Sequence, residues 1–258
     1  MDNMNEKDSM NKKVVLITGA SVGLGAHAAF RFAEKGYCVV VNYSKSVLEA
    51  EALVAKICTE IPTSIVLAYQ ADVADRKQVR EMFDTVYRQF DRCDILINMA
   101  GINRDSPFLT MSDEDWHQVL NTILTGSFLC CQEYAQRYKG ENGHIINIGA
   151  VTALKGRKNG VNYCTARAGI LNFTRCLALE LAPKIQVNTV TPGYIETDEV
   201  VTRHALHIKE NHDNAINAIP AGRLGTPEDI FKTLYFIVND SSYVTGQNFV
   251  VDGGLIMR

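Results

Sequence analysis

A glycine-rich turn near the start of the chain contains residues suited to binding phosphate. Thr18-Gly19-Ala20-Ser21-Val22-Gly23-Leu24-Gly25 follows an apolar run and precedes a helical pattern. A pyrophosphate needs bare backbone N–H groups at a helix N-terminus, where larger side chains would hold it away. A structural turn can use the same residues, but the strand–turn–helix context favours a dinucleotide site. We predict that its phosphate contacts come from Gly19, Ser21, Gly23, Leu24 and Gly25.

The residues after the second apolar run indicate which dinucleotide binds. In dinucleotide-binding folds an acid at this point bonds the ribose 2′-hydroxyl of NAD, whereas a basic residue accommodates the 2′-phosphate of NADP. The chain reads Asn42-Tyr43-Ser44-Lys45-Ser46 here and has no acid. We therefore favour NADP(H), bound by Tyr43, Ser44 and Lys45, without excluding NAD(H). The alternative is that Lys45 only solvates the following helix.

Alternating strand and helix patterns must position these residues. Near-continuous apolar runs are typical of strands covered on both faces, and they fall at Val14–Thr18, Cys38–Asn42, Ile65–Ala71, Ile95–Asn98, His144–Ile148, Ile185–Val190 and Asn248–Val251. Helical patterns lie between them at Leu24–Lys35, Val47–Cys58, Lys77–Phe90, Asp113–Lys139 and Tyr163–Ala182, and a further helix opens at Thr226-Pro227. This order predicts an α/β fold with one Rossmann-type, doubly wound parallel sheet flanked by helices.

The chain shows no linker that would mark a second domain. We expect residues 1–12 to form a flexible N-terminal arm and residues 13–258 to form a single dinucleotide-binding domain. The polar segment 197–225 interrupts the alternation, with a helical pattern at Glu199–Lys209. Ligands of such sheets bind outside the carboxyl ends of the strands. We therefore predict a substrate lid here, against the alternative of a solvated pair of surface helices.

Composition and charge exclude several function classes. A net charge of -3 gives no reason to expect nucleic acid or an anionic membrane as a partner. No apolar run approaches the roughly 20 residues that span a bilayer, and the polar start does not resemble a signal peptide. The 7 cysteines form no CxxC pair, which favours a reducing cytoplasm. His204, His207 and His212 lack partners for a credible metal site, so we expect no metal.

Further motifs, in order, resemble the short-chain dehydrogenase/reductase family, especially the β-ketoacyl-ACP reductases. They are TGASVGLG, Asp72-Val73, Asn98-Met99-Ala100-Gly101, Asn162-Tyr163, Pro192-Gly193 and Val251-Asp252-Gly253-Gly254, so the likeness runs from about Lys13 to the C-terminus. The resemblance implies a homotetramer built through the two long helices and the last strand. It also implies further cofactor contacts: Asp72 and Val73 at the adenine, Asn98, Ala100 and Gly101 along the ribose, and Pro192, Gly193, Ile195 and Thr197 towards the carboxamide.

The family uses an Asn, a Ser, a Tyr and a Lys for catalysis, and this chain keeps only two of them. Asn121 and Tyr163 are present, but the serine position holds Ala150 and the lysine position holds Arg167. Residues 163 and 167 share a helix face, so a cation that can also bind the ribose still accompanies the phenol. Arginine cannot give up a proton, however, and alanine removes a donor to the developing oxyanion. Thr152 offers a replacement hydroxyl, although a packing or substrate-lining role is the simpler interpretation.

Two functions follow from the resemblance. The first is an NADP(H)-dependent oxidoreductase that reduces a ketone or a β-ketoacyl thioester by hydride transfer, with Tyr163 as the acid, Arg167 as its electrostatic partner and Asn121 as a water holder. Acyl carrier protein is then a candidate partner, and Lys184 lies near the position where relatives contact it. The alternative is a catalytically impaired homologue that serves as a nucleotide-binding or scaffold subunit beside an active paralogue.

Overall fold

A computed structural model describes residues 12–257. Most of the predicted arm therefore lies outside the described residues. The sheet contains seven strands in the order β3-β2-β1-β4-β5-β6-β7, and each adjacent pair is parallel. The strands are β1 (Val14–Thr18), β2 (Cys38–Tyr43), β3 (Ile65–Gln70), β4 (Ile95–Asn98), β5 (Gly143–Ile148), β6 (Ile185–Pro192) and β7 (Asn248–Val251). This arrangement confirms the predicted doubly wound α/β fold.

Helices cover both faces of the sheet. They are α1 (Gly23–Glu34), α2 (Val47–Glu60), α3 (Arg76–Phe90), α4 (Asp113–Leu120), α5 (Gly126–Arg137), α6 (Thr152–Lys155), α7 (Val161–Leu181), α8 (Asp198–Arg203), α9 (Lys209–Asn217) and α10 (Pro227–Asn239). Alternate residues of β1 explain the layers: Ile17 packs with Phe32 and Phe231 on one face, and Leu16 packs with Phe83 and Tyr134 on the other. The central strands β1, β4 and β5 are buried along their whole length because both of their faces are covered.

The predicted helix Asp113–Lys139 is wrong as a single α-helix. A π-helical turn over Asn121–Thr125 separates α4 from α5, and α5 ends at Arg137. The backbone N–H of Gly126 bonds to the carbonyl of Asn121, five residues back. Three of the residues in this turn are β-branched, a type that fits the α-helix less well. Such π-turns often occur at functional sites, and this one begins at the predicted catalytic Asn121.

The predicted helical pattern Glu199–Lys209 is wrong as one continuous helix, although its first half is helical. Instead, α8 begins after Thr197, whose hydroxyl caps it by accepting from the N–H of Val200 at 3.4 Å. Ala205 then adopts a φ of 47°, which breaks the helix, and α9 follows. Segment 197–225 has a small apolar cluster of its own, around the buried Leu206, Ile219 and Leu224.

Candidate active site

The glycine-rich turn approaches the end of β4 closely. Gly19 and Gly23 have φ values of 61° and 56°, which disfavour larger residues. A Cβ atom on Gly19 would lie 2.7 Å from the Cα of Ala100. A Cβ on Gly25, at the start of α1, would lie 2.4 Å from the carbonyl oxygen of Gly19. The bare backbone at the N-terminus of α1 therefore fits a pyrophosphate.

The end of β2 is tied to this turn. The amide of Asn42 donates to the carbonyl oxygen of Ala71 at 3.0 Å, and its Oδ1 accepts from the N–H of Gly19 at 3.4 Å. The hydroxyl of Ser21 donates to that of Ser46 at 3.0 Å. The side chain of Lys45 is exposed beside them. The predicted 2′-phosphate contacts and the predicted pyrophosphate contacts thus lie on one fixed surface.

Asn98 uses its side chain inside the protein. Its amide donates to Oδ1 of Asn147 at 2.8 Å and to Sγ of Cys131 at 3.1 Å, and the residue is 3% exposed. The structure therefore does not bring this side chain to the predicted ribose surface, where Ala100 and Gly101 continue the chain. Thr18 fixes this segment, because its hydroxyl accepts from the N–H groups of Met99 and Ala100 at 3.0 and 3.1 Å.

Two other predicted cofactor segments end at the same edge of the sheet. Val73 follows β3 and packs so closely on α5 that a Cβ on Gly126 would lie 2.7 Å from it, while Asp72 beside it is exposed. After β6, the buried Ile195 forms an isolated bridge with Gly225, which ties the predicted carboxamide segment to the start of α10. Pro192 is buried and Gly193 packs on Asp252, whose Cα would be 2.6 Å from an added Cβ.

Tyr163 lies on the first turn of α7 and is partly buried. The guanidinium carbon of Arg167 is 5.3 Å from its ring centroid. The guanidinium carbon of Arg157, which precedes α7, is 5.0 Å away. The phenol therefore sits beside two cations, of which the sequence indicated only Arg167.

Arg167 is 6% exposed and is held by the backbone around it. Its Nη1 donates to the carbonyl oxygen of Ile148 at 2.6 Å. Its Nη2 lies against Gly101, where an added Cβ would be 2.3 Å away. Its Nε is buried and has no hydrogen-bond partner within residues 12–257. The residue thus bridges the ends of β5 and β4, next to the predicted ribose surface.

The remaining predicted positions differ in their surroundings. Ala150 follows β5 and is 9% exposed. The hydroxyl of Thr152 is buried and lacks a hydrogen-bond partner in the described part of the chain. Asn121 is exposed, and its Oδ1 accepts from the hydroxyl of Thr125 at 3.5 Å. The hydroxyl nearest to Ala150 along the chain is that of Thr152.

Further cations lie around His204 and Arg203, in the segment that follows β6. Burial lowers the pKa of His204, and the nearby Arg203, Arg157 and Lys155 lower it further. Burial and then Arg157 lower the pKa of Arg203 as well. The ring of His204 packs edge-on against that of Tyr194, with centroids 5.0 Å apart. Nothing in the sequence indicates this grouping, because its members come from separate loops and helices.

The described residues contain no group of three or more His, Cys, Asp or Glu side chains arranged to hold a metal ion. The cysteines are free, and burial raises the pKa of the Cys131 thiol to about 12, which disfavours a thiolate. Over the same residues, no helix is long and apolar enough to cross a membrane.

Comparisons with known proteins agree with this architecture. A protein-family model described as "Enoyl-(Acyl carrier protein) reductase" matches residues 19–256. The 3-oxoacyl-[acyl-carrier-protein] reductase of Synechocystis sp. is 40% identical over 253 residues, covering 96% of this chain and 99% of that protein. The corresponding reductase of Staphylococcus aureus is 39% identical over 248 residues, covering 95% and 98%.

Solved structures give the same result. A Brucella melitensis short-chain dehydrogenase/reductase, described as a glucose/ribitol dehydrogenase, superposes with a TM-score of 0.87 at 29% identity over 95% of this chain and 97% of its own. A Bacillus anthracis short chain dehydrogenase gives 0.82 at 33% identity over 96% and 98%. The chain is a member of the short-chain dehydrogenase/reductase family of oxidoreductases, close to the 3-oxoacyl-ACP reductases.

Proposed function

We propose that the protein is an NADP(H)-dependent reductase of a ketone or a β-ketoacyl thioester, with Tyr163 as the proton donor. The observation that carries the proposal is the phenol of Tyr163 beside the Arg167 guanidinium, at the edge of the sheet where the bare glycine turn lies. The names of the relatives support a β-ketoacyl thioester, including one bound to acyl carrier protein.

The residues that would hold the cofactor are the predicted ones. The turn from Gly19 to Gly25 would bind the pyrophosphate, Lys45 a 2′-phosphate, and Arg167 with Gly101 the nicotinamide ribose. When bound, NADPH supplies the hydride that adds to the carbonyl carbon. Tyr163 gives its hydroxyl proton to the carbonyl oxygen, and Arg167 stabilises the phenolate that remains. Solvent then returns the proton, because arginine cannot supply it.

Segment 197–225 is proposed as the lid over the substrate. Its α8 faces the loop after β4, where Nδ2 of Asn103 and Oε1 of Glu199 are 3.5 Å apart. A homotetramer formed through α5, α7 and β7, which belong to the two long helices and the last strand of the prediction, is proposed from apolar side chains that these elements expose, which are Phe128, Leu179 and Val250. A cytoplasmic location stays a prediction.

A product assay tests the proposal. The purified protein is incubated with NADPH and either acetoacetyl thioester or simple ketones, and the hydroxyl product is measured against NADPH consumed. Gly19→Ala is the matched variant, since its Cβ would meet Ala100. The proposal is supported if the hydroxyl product forms in an amount equal to the NADPH consumed and if Gly19→Ala forms no such product. An enoyl thioester is included as a further substrate because of the family model's description. NADPH consumption with the enoyl thioester only, or no NADPH consumption with any of the substrates, contradicts the proposal.

The scaffold or nucleotide-binding role remains the second candidate. It is favoured by one observation, the hydrogen bond from Arg167 to the Ile148 carbonyl oxygen. This bond uses Nη1 of the guanidinium, which is then not free to bind the phenol or the ribose. Under this role the protein binds NADPH but turns over no substrate alone, and mixing it with an active paralogue yields a hetero-oligomer.

A further inference from the structure

Arg157 has no counterpart among the residues that the proposed reaction uses, yet it lies closer to Tyr163 than Arg167 does. Its guanidinium carbon is 5.0 Å from the ring centroid, against 5.3 Å for Arg167. A cation close to a phenol favours its charged form. A phenolate at Tyr163 would therefore be stabilised by both guanidinium groups, of which Arg157 is also paired with Asp105 at 2.6 Å.

We propose that Arg157 is a positioning residue for Tyr163, a second cation that stabilises its phenolate where Ala150 and Arg167 have replaced a hydroxyl and a lysine. The inference rests on the proposed function, because it concerns the residue assigned as proton donor. Arg157 acts through Tyr163 and exchanges no proton itself.

The position of Arg157 is fixed by the loop after β4. Its Nη2 donates to Oδ1 of Asn103 at 3.0 Å and to Oδ1 of Asp105 at 2.6 Å. The side chain is 17% exposed. Its Nε is buried and has no hydrogen-bond partner in the described range 12–257. One N–H donor of this guanidinium therefore stays unused when Arg157 bonds to Asn103 and Asp105.

The two loops that meet here are clamped together. The N–H of Ser106 donates to the carbonyl oxygen of Asn159 at 2.9 Å. The buried amide of Asn162 donates to the carbonyl oxygen of Arg104 at 2.8 Å. Gly160 leaves room for the guanidinium, because a Cβ there would lie 2.6 Å from Nε of Arg157. The cation is therefore held in place rather than extended into solvent.

Other charged groups around Tyr163 set the balance that Arg157 enters. Arg203 on α8 interacts with Arg157, Asp105 and Tyr163, and it is paired with Glu199. Asp105 opposes the cations, whereas Arg167 adds to them. Lys155 and His204 both contact the ring of Tyr194. Removing Arg157 would take away one positive charge near the phenol and would also leave the Asp105 carboxylate without the ion pair that it makes with Arg157.

The experiment compares Arg157→Gln, Arg157→Lys and the control Lys158→Gln, which changes the exposed neighbour. The ionisation of Tyr163 is followed by tyrosinate absorption, or by NMR with ring-labelled tyrosine, as the difference from the same protein carrying Tyr163→Phe. We expect Arg157→Gln to raise the midpoint of Tyr163 ionisation, Arg157→Lys to keep that midpoint close to the value in the unmodified protein, and Lys158→Gln to leave it unchanged.

An unchanged midpoint in folded Arg157→Gln overturns the inference, and so does an equal shift in Lys158→Gln. If Arg157→Gln does not fold, Arg157→Met keeps the aliphatic packing and answers the same question. The titration needs no turnover, so a protein that reduces no substrate refutes the proposed function without deciding this result. Where turnover occurs, the pH profile of kcat should move in the same direction, with KM little changed.

Discussion

Nη1 of Arg167 donates a 2.6 Å hydrogen bond to the carbonyl oxygen of Ile148, at the end of β5. A lysine at this position would present one compact ammonium, whereas the planar guanidinium is fixed between β5 and Gly101. The site therefore keeps a positive charge beside Tyr163 and loses the mobile, titratable group. Most of our predictions concern the consequences of that exchange.

Restoring the two family residues should raise the rate. Ala150→Ser returns a donor to the developing oxyanion, a change typically worth ~10²-fold or more, and Arg167→Lys returns a proton relay. We expect the double variant to exceed the unmodified protein in kcat by at least ~10-fold. Large activity in the double variant and none in the original would instead favour the scaffold role.

Gly101→Ala should impair cofactor binding without unfolding the protein. Its Cβ would lie 2.3 Å from Nη2 of Arg167, the far end of a side chain that can shift. We expect NADPH affinity, measured by fluorescence titration, to fall by roughly tenfold, about one hydrogen bond to a charged group. The thermal midpoint should stay nearly constant. Arg167→Lys in the same background should relieve the loss, and equal losses in both backgrounds would refute the proposed contact.

Lys45→Gln should weaken NADPH and spare NADH. A charge-assisted bond to a 2′-phosphate is worth about 1.5–3 kcal/mol, so we expect the Kd for NADPH to rise roughly 10- to 100-fold. The control is Lys139→Gln, an exposed lysine after α5. If Lys45→Gln changes the Kd values for NADPH and NADH equally, or changes neither of them, Lys45 does not select the cofactor.

His144 should make the protein less stable in mild acid. Burial lowers its pKa to about 4, and the residue is 7% exposed. The unfolded chain binds a proton at His144 below a pH of about 6.5, whereas the folded protein binds it only below a pH of about 4. The free energy of unfolding should therefore fall from about pH 6.5 towards pH 4, by up to about 3 kcal/mol. Urea unfolding of His144→Gln, which cannot titrate, should show a flatter profile; identical slopes would contradict this assignment.

The sequence was sufficient for the positions of the strands, because the central ones are buried on both faces and read as largely apolar runs. It also located the turn at Gly19–Gly25, whose positive φ values and close contacts require glycine. The π-helical turn at Asn121 escaped prediction, because the spacing of apolar residues in the sequence does not show where one helical turn contains an extra residue. The break in the helical pattern Glu199–Lys209 escaped prediction, because Ala205 gives no signal of a left-handed backbone.

Arg157 shows the limit most clearly. It lies six positions before Tyr163 on a loop, and neither its type nor its spacing indicates a role. Its place beside the phenol depends on Asn103 and Asp105, which follow a strand far away in the chain. Only the fold brings these residues together.

The central claim is that Tyr163 donates the proton in spite of the two replacements. The most direct measurement compares NADPH-dependent reduction of acetoacetyl thioester by the unmodified protein and by Tyr163→Phe, with equal folding and NADPH binding shown for both. We expect turnover by the former and a fall in kcat of ~10² or more in the latter, as for the loss of a general acid. Turnover by Tyr163→Phe within twofold of the original would contradict the account.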